Sequence, residues 1–308
     1  MLSANQVIAQ VTSTKSNDAG RAPGAGVTDR VVELQNPLDR VLYHPLAARL
    51  ARALAGTFVT PNMVSVAGGL AIVAAGLIYI QPGWPLPALL GLLVHMGWHV
   101  FDGADGTLAR MTGRASPSGE IIDGICDYAG HIVLYLMLAG AAFVSEGWLV
   151  WALAVAAGLS RVLQANFHEV QRRHYLNWTY GVAWLGSGGS RDAHGILALA
   201  GRTYLHIATL LAPEYPDIGE VASDPARSEQ VAARMRELGP SALSGSALLG
   251  ANYRTLALGA SMIAGTPLWY FIYEAVFLNL VLFASVSRSR LTIAGLREAL
   301  QLNPSTRR

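Results

Sequence analysis

"FDGADGTLARMTGRASPSGEIIDGICDYAGH", residues 101–131, sets Asp102, Asp105, Asp123 and Asp127 among residues that otherwise read as two membrane helices and the turn between them. Ionisable groups are costly in hydrocarbon, where they pair internally, face water or mark function. Asp102 and Asp105 stand three apart at the end of one apolar run, and Asp123 and Asp127 four apart at the start of the next. Each pair therefore shares one helix face. Gly113, Pro117 and Gly119 allow the chain to turn between the runs, so antiparallel helices can bring the four carboxylates together. Such a group repels itself unless a cation neutralises it. An all-oxygen donor set selects a hard ion, Mg2+ or Mn2+, and Mg2+ commonly completes its shell with phosphate oxygens. Arg110 and Arg114 beside the cluster suit a phosphate-bearing substrate, and Gly103, Gly106 and Gly119 let backbone approach a ligand. The plain alternative is four interfacial aspartates paired with the two arginines. Their spacing across two adjacent helix ends favours a shared site.

Composition supports a bilayer setting. The 308 residues are 52% hydrophobic and 14% charged, with mean hydropathy +0.36, whereas soluble chains carry about 25% charged residues. Net charge is +2, with Lys15 the one lysine. That is too little for a nucleic-acid footprint, so no nucleic-acid partner is expected. The single cysteine, Cys126, rules out an internal disulfide and a cysteine-cluster metal site.

Crossing about 30 Å of hydrocarbon takes roughly 20 residues. Runs that meet this requirement fall near 62–81, 86–108, 121–144, 147–168, 251–266 and 268–287, which predicts an all-α, polytopic membrane protein with six transmembrane helices. The connections at 82–85, 145–146 and around Pro267 lack arginine, while the opposite ends carry Arg49, Arg52, Arg110, Arg114, Arg172, Arg173, Arg288 and Arg290. By the positive-inside rule both termini and the aspartates face the cytoplasm, as in an inner (cytoplasmic) membrane. Before the first span, Leu38, Leu42, Leu46, Leu50 and Leu54 recur every four residues. This predicts an amphipathic interfacial helix, capped by Asn36 and kinked at Pro45.

The remaining organisation follows. Residues 1–32, rich in small and polar types, read as a flexible tail without the pattern of a cleavable signal. Residues 33–290 form the six-span domain, with a cytoplasmic insertion at 169–250 that holds an amphipathic stretch at 193–211 and a short helix near 226–238. Residues 291–308 read as a C-terminal tail.

Other polar residues in the spans carry a second set of expectations. His95 and His99 fit hydrogen-bonded packing better than metal ligation. His131, one turn beyond Asp127, is placed to act on that carboxylate. Arg161 is a candidate for a phosphate on the acceptor or for a structural ion pair, and Glu274 for helix pairing. Ser65, Gly68 and Gly69 form a small-residue face for close helix contact. Trp84, Trp148, Trp151 and Tyr270 read as interface anchors.

Asp102, Asp105, Gly106, Ala109, Arg110, Gly119, Asp123 and Asp127 match every fixed position of D-x2-D-G-x2-A-R-x8-G-x3-D-x3-D. The chain thereby resembles the CDP-alcohol phosphotransferase (CDP-alcohol phosphatidyltransferase) family. "TPNMVS", residues 60–65, is similar to an element that opens the first span in many members, whereas the tail and the insertion resemble nothing we can name. The resemblance implies a membrane enzyme of phospholipid biosynthesis, usually a homodimer, that displaces CMP from a CDP-linked alcohol. It implies that Asp102, Asp105, Asp123 and Asp127 hold one or two metal ions and that Asp127 is the catalytic general base. Gly106, Ala109, Arg110 and Gly119 would line the CDP site, with Ser116 and Asn62 beside them. "SPSGEIIDGICD" looks nearest to the choline and ethanolamine phosphotransferase branch, which favours a soluble CDP-alcohol donor and a lipid hydroxyl acceptor such as diacylglycerol or a ceramide-like lipid. The reverse arrangement pairs a CDP-diacylglycerol donor with inositol phosphate, glycerol phosphate or serine. A cation transporter or channel is the rival from another class.

Overall fold

A computed structural model describes residues 35–182 and 215–302. The predicted tail at 1–32 and the amphipathic stretch at 193–211 lie outside the described residues. Among the described residues the regular structure is entirely helical, as the sequence predicts.

The chain enters through a π-helical turn, Asp39–Tyr43, that runs into α1, His44–Leu54. Asn36 caps this entry, its side-chain oxygen accepting the Leu38 N–H at 3.0 Å. The anticipated kink at Pro45 takes the form of this wide turn, with the proline in the first turn of α1, where a missing N–H is tolerated. Ala47 and Ala51 bury against Val64, Ala104 and Leu108 of the next helices, and Tyr43 is buried in a stack on His99. Leu42 and Leu46 of the leucine stripe stay exposed. The segment therefore docks by its small residues together with Leu50 and Leu54 and turns Leu42 and Leu46 outward, as an interfacial helix would.

Helix α2, Pro61–Tyr79, starts at a Thr60 cap that accepts the Met63 N–H. Helix α3 spans Leu86–Met111. Helix α4, Pro117–Glu146, is capped by Ser116, whose Oγ accepts the Gly119 N–H at 3.1 Å. Gly147, at φ +63, reverses the chain directly into α5, Trp148–Tyr180, a left-handed turn that favours glycine. Two shorter helices, α6 (Pro216–Ser223) and α7 (Ser228–Ser246), precede α8, Ala251–Ile263. The last long helix is α9, Leu268–Ile272, a π-helical turn at Tyr273–Phe277, and α10, Leu278–Ala299.

One apolar core joins α2, α3, α4, α5, α8 and α9 through Ile72, Trp98, Leu134, Ala157, Leu258 and Phe271. A second gathers the end of α5, α6, α7 and the end of α10 around Trp178, Ile218, Met235 and Leu296. Residues 291–299, read from sequence as a tail, instead continue α10, and Ile293 and Leu296 are buried there. The short helix expected near 226–238 likewise extends to Ser246.

Among the described residues, four helices are long and apolar enough to cross a membrane: Pro61–Tyr79, Ser118–Glu146, Trp148–Tyr180 and Leu268–Ala299. The other two predicted spans are also helical. Leu86–Met111 has the length, but His95, His99 and the aspartates lower its apolar character. Ala251–Ile263 has 13 residues and reaches only about 20 Å.

Candidate active site

The four aspartates lie at the end of α3 and the beginning of α4, and α2 packs along both helices. Asp102, Asp123 and Asp127 each offer a carboxylate oxygen, and these atoms lie within 4.8 Å of one another. Asp105 is the buried member. Its Oδ2 accepts the Ser65 hydroxyl at 2.5 Å and its Oδ1 the Gly106 N–H at 2.5 Å, while its carboxyl also reaches Asp123. Three carboxylates thus face a common point and the fourth abuts them from within the bundle. All donors are oxygens, which fits a hard divalent cation. The chain could hold such an ion here without help from histidine.

The expected nucleotide-binding residues fall into two groups at this site. A Cβ built on Gly119 would lie 3.2 Å from Ser116 Oγ and 3.7 Å from Asn62 Oδ1, so the first turns of α2 and α4 meet there. A Cβ on Gly106 would lie 3.3 Å from Arg110 Nη1. The Arg110 guanidinium therefore folds back over Gly106, and Nη2 donates to Thr107 Oγ1 at 3.3 Å. Ala109 is half-buried beside it. The dipole at a helix N-terminus favours an anion, so the first turns of α2 and α4 suit a phosphate-bearing group.

Sequence alone missed two residues that touch the aspartates. The small-residue face suggests only helix packing for Ser65, yet its hydroxyl donates to Asp105. Trp98 donates its indole N–H to Asp127 Oδ1 at 2.7 Å. The available signal was the position of Trp98, one turn before Asp102 on the same helix. His95 and His99 take the packing positions that the sequence favours. His99 Nε2 lies 2.9 Å from Thr255 Oγ1, and its ring stacks on Tyr43. His95 packs between Trp98 and His131. His131 meets Asp127 at its backbone, its Nδ1 donating to the Asp127 carbonyl oxygen at 2.8 Å.

Arg161 belongs to a buried network that joins α5, α8 and the Tyr273–Phe277 turn. Its Nη1 lies 3.4 Å from Glu274 Oε1 and donates to the Tyr270 hydroxyl at 3.4 Å. Arg254 Nη1 meets the same Glu274 oxygen at 2.8 Å, and Tyr270 donates to it at 2.6 Å. Tyr270 is consequently buried, unlike the exposed anchors Trp84 and Trp148.

Comparison with known proteins matches residues 58–205 to the family described as CDP-alcohol phosphatidyltransferase. No curated protein matched the chain. The matched segment contains α2, α3, α4, α5 and all four aspartates, whereas α7, α8 and α10 lie beyond it.

Proposed function

We propose, from the CDP-alcohol phosphatidyltransferase domain that residues 58–205 carry, that this chain is a membrane phosphotransferase. It moves a substituted phosphate from a CDP-alcohol to a hydroxyl acceptor and releases CMP. The observation that carries the reading is the approach of Asp102, Asp123 and Asp127 within 4.8 Å, beside the first turns of α2 and α4.

In this reading Asp102, Asp105, Asp123 and Asp127 hold one or two Mg2+ or Mn2+ ions. A bound divalent metal supplies charge neutralisation as a phosphoanhydride breaks. Asn62, Gly106, Ala109, Arg110, Ser116 and Gly119 seat the CDP moiety, with Arg110 donating charge-assisted hydrogen bonds to its diphosphate. Asp127 is the general base and accepts the acceptor's hydroxyl proton. The freed oxygen forms a bond to the phosphorus bearing the alcohol substituent. The bond from that phosphorus to the bridging oxygen breaks, and CMP leaves with the electron pair. Arg161 stands near enough for its charge to act at Asp127, and we assign it to an anionic group on the acceptor side.

The arginine distribution supports six spans with both termini and the site at the cytoplasmic surface of an inner membrane. There a soluble substrate meets a lipid one. The "SPSGE" stretch favours a soluble CDP-alcohol donor and a lipid hydroxyl acceptor, with CDP-diacylglycerol and a small alcohol as the second arrangement. A homodimer is the family-based expectation. Against a transporter, α3 and α4 run unbroken through the aspartates, whereas carriers bind ions at interrupted helices near the midplane. The test is CMP release by purified protein given a panel of CDP-alcohols and hydroxyl acceptors with Mg2+ or Mn2+. Turnover of one pair identifies donor and acceptor together; no CMP from any pair removes the reading.

A further inference from the structure

Asp127 has two oxygens and two demands on them. The cluster needs a donor aimed at Asp102 and Asp123, and a base needs a lone pair aimed at the acceptor. A carboxylate free to rotate about its terminal torsion, which is broad and roughly two-fold, would divide its time between these and unproductive orientations. The Trp98 indole N–H removes that freedom. It lies 2.7 Å from Asp127 Oδ1, the short distance of a hydrogen bond to a charged acceptor.

The indole is itself firmly held. Trp98 is buried at 3% exposure. His99 lies against it at 4.4 Å between ring centroids, and His131 meets it edge-on at 4.8 Å. On the α2 side a Cβ at Gly68 would come within 3.4 Å of Trp98 Cδ1, so the absence of a side chain there admits the ring. His99 and His131 thus form walls around the indole. His131 is tied to the same turn of α4 through its bond to the Asp127 backbone.

We infer that Trp98 is a positioning residue, whose indole N–H commits Asp127 Oδ1 and presents the second oxygen to the metal cluster and the acceptor hydroxyl. The inference rests on the assignment of Asp127 under the proposed function and adds a residue that the family motif does not contain. Partners that orient ligating carboxylates typically affect affinity or activity about 10–100-fold.

The direct test is NMR of the seven tryptophan side chains, labelled with 15N in detergent. The Trp98 indole signal is assigned by its disappearance in Trp98→Phe. It should lie downfield in the native protein and move upfield in Asp127→Asn; a signal indifferent to Asp127→Asn overturns the inference. The kinetic test replaces Trp98 with β-(3-benzothienyl)alanine, which keeps the ring shape and lacks the N–H, so loss of folding does not cloud the result. The expected outcome is kcat lowered about 10–100-fold with KM for the CDP-alcohol within about twofold. The same replacement in Asp127→Asn should cost nothing further. Undiminished kcat with the isostere overturns the inference while leaving the Asp127 assignment intact. Normal turnover of Asp127→Asn alone removes the base assignment, and the NMR measurement still decides whether the indole bond exists.

Discussion

Gly69 and Gly130 face each other across the α2–α4 seam so closely that a Cβ on Gly130 would lie 3.0 Å from the Gly69 carbonyl oxygen. A Cβ on Gly69 would in turn lie 3.0 Å from the Cys126 carbonyl oxygen, on the residue before Asp127. The opposed atoms are backbone, which cannot rotate away. Backbone contact at this seam sets where α4 delivers its aspartates.

Gly69→Ala and Gly130→Ala should therefore each force the helices apart, costing about 1–3 kcal/mol as overpacking does. Both should lower activity, because Asp123 and Asp127 move with α4. Gly140→Ala, on the same helix with open space around it, should be neutral or stabilising by up to about 1 kcal/mol. Thermal unfolding in detergent ranks the three. Equal midpoints for Gly130→Ala and the native protein would show that the seam has room to spare.

Asp127→Asn should reduce CMP release by about 100-fold or more and leave the protein monodisperse, because asparagine keeps the shape of the side chain. The check is CMP formation alongside size-exclusion behaviour. Near-native turnover by a well-folded variant would return Asp127 to a role in metal binding alone.

Chelation with EDTA should stop turnover, and Mg2+ or Mn2+ should restore it. The independent readout is Mn2+ binding by electron paramagnetic resonance. Asp102→Asn and Asp123→Asn should each weaken it about 10-fold or more by removing a ligand. Ser65→Ala should weaken it less, since it frees Asp105 without deleting a carboxylate. Unchanged Mn2+ affinity in both aspartate variants would rule out metal ligation by these residues.

Glu274 serves two buried arginines, Arg161 at 3.4 Å and Arg254 at 2.8 Å, so the network carries one positive charge in excess. Glu274→Gln should be severe, about 3–5 kcal/mol, because it leaves buried guanidiniums uncompensated. Arg161→Gln should be milder, since Glu274 keeps Arg254. If Arg161 meets an anionic acceptor group, that variant should raise KM for the acceptor and spare KM for the CDP-alcohol. Equal changes in both constants would confine Arg161 to the ion pair.

Outside the spans, Arg297 Nε and Nη2 donate to the Asp217 carboxylate at 2.7 and 3.0 Å. These bonds hold the Asp217 carboxyl below the ordinary carboxylate range. A depressed folded-state value means the stabilisation is complete above the unfolded value, near pH 4, and fades as pH falls through the folded one. Arg297→Gln should cost about 0.5–1.5 kcal/mol at neutral pH and less under acid conditions. Hydrogen-exchange protection of α6 reads the difference. Equal protection in variant and native protein at neutral pH would show that the pair contributes nothing.

The sequence by itself determined the helical class, the places where helices lie and the pairing of Asp102 with Asp105 and Asp123 with Asp127 on common faces. These are local properties: hydropathy over a span and the 3.6-residue period are written in neighbouring residues. Only the tertiary structure decided which atoms each carboxylate meets. Ser65 reaches Asp105 across 40 residues and Trp98 reaches Asp127 across 29; the place of Trp98 one turn before Asp102 is local, but its reach to α4 depends on how α3 and α4 pack. Arg161 and Glu274, 113 apart, were each visible as charges in hydrocarbon, but their pairing depends on how α5 packs against the helix that begins at Leu268. The end of α10 misread as a tail for the same reason: its apolar residues acquire a partner only when α6 and α7 fold back over them.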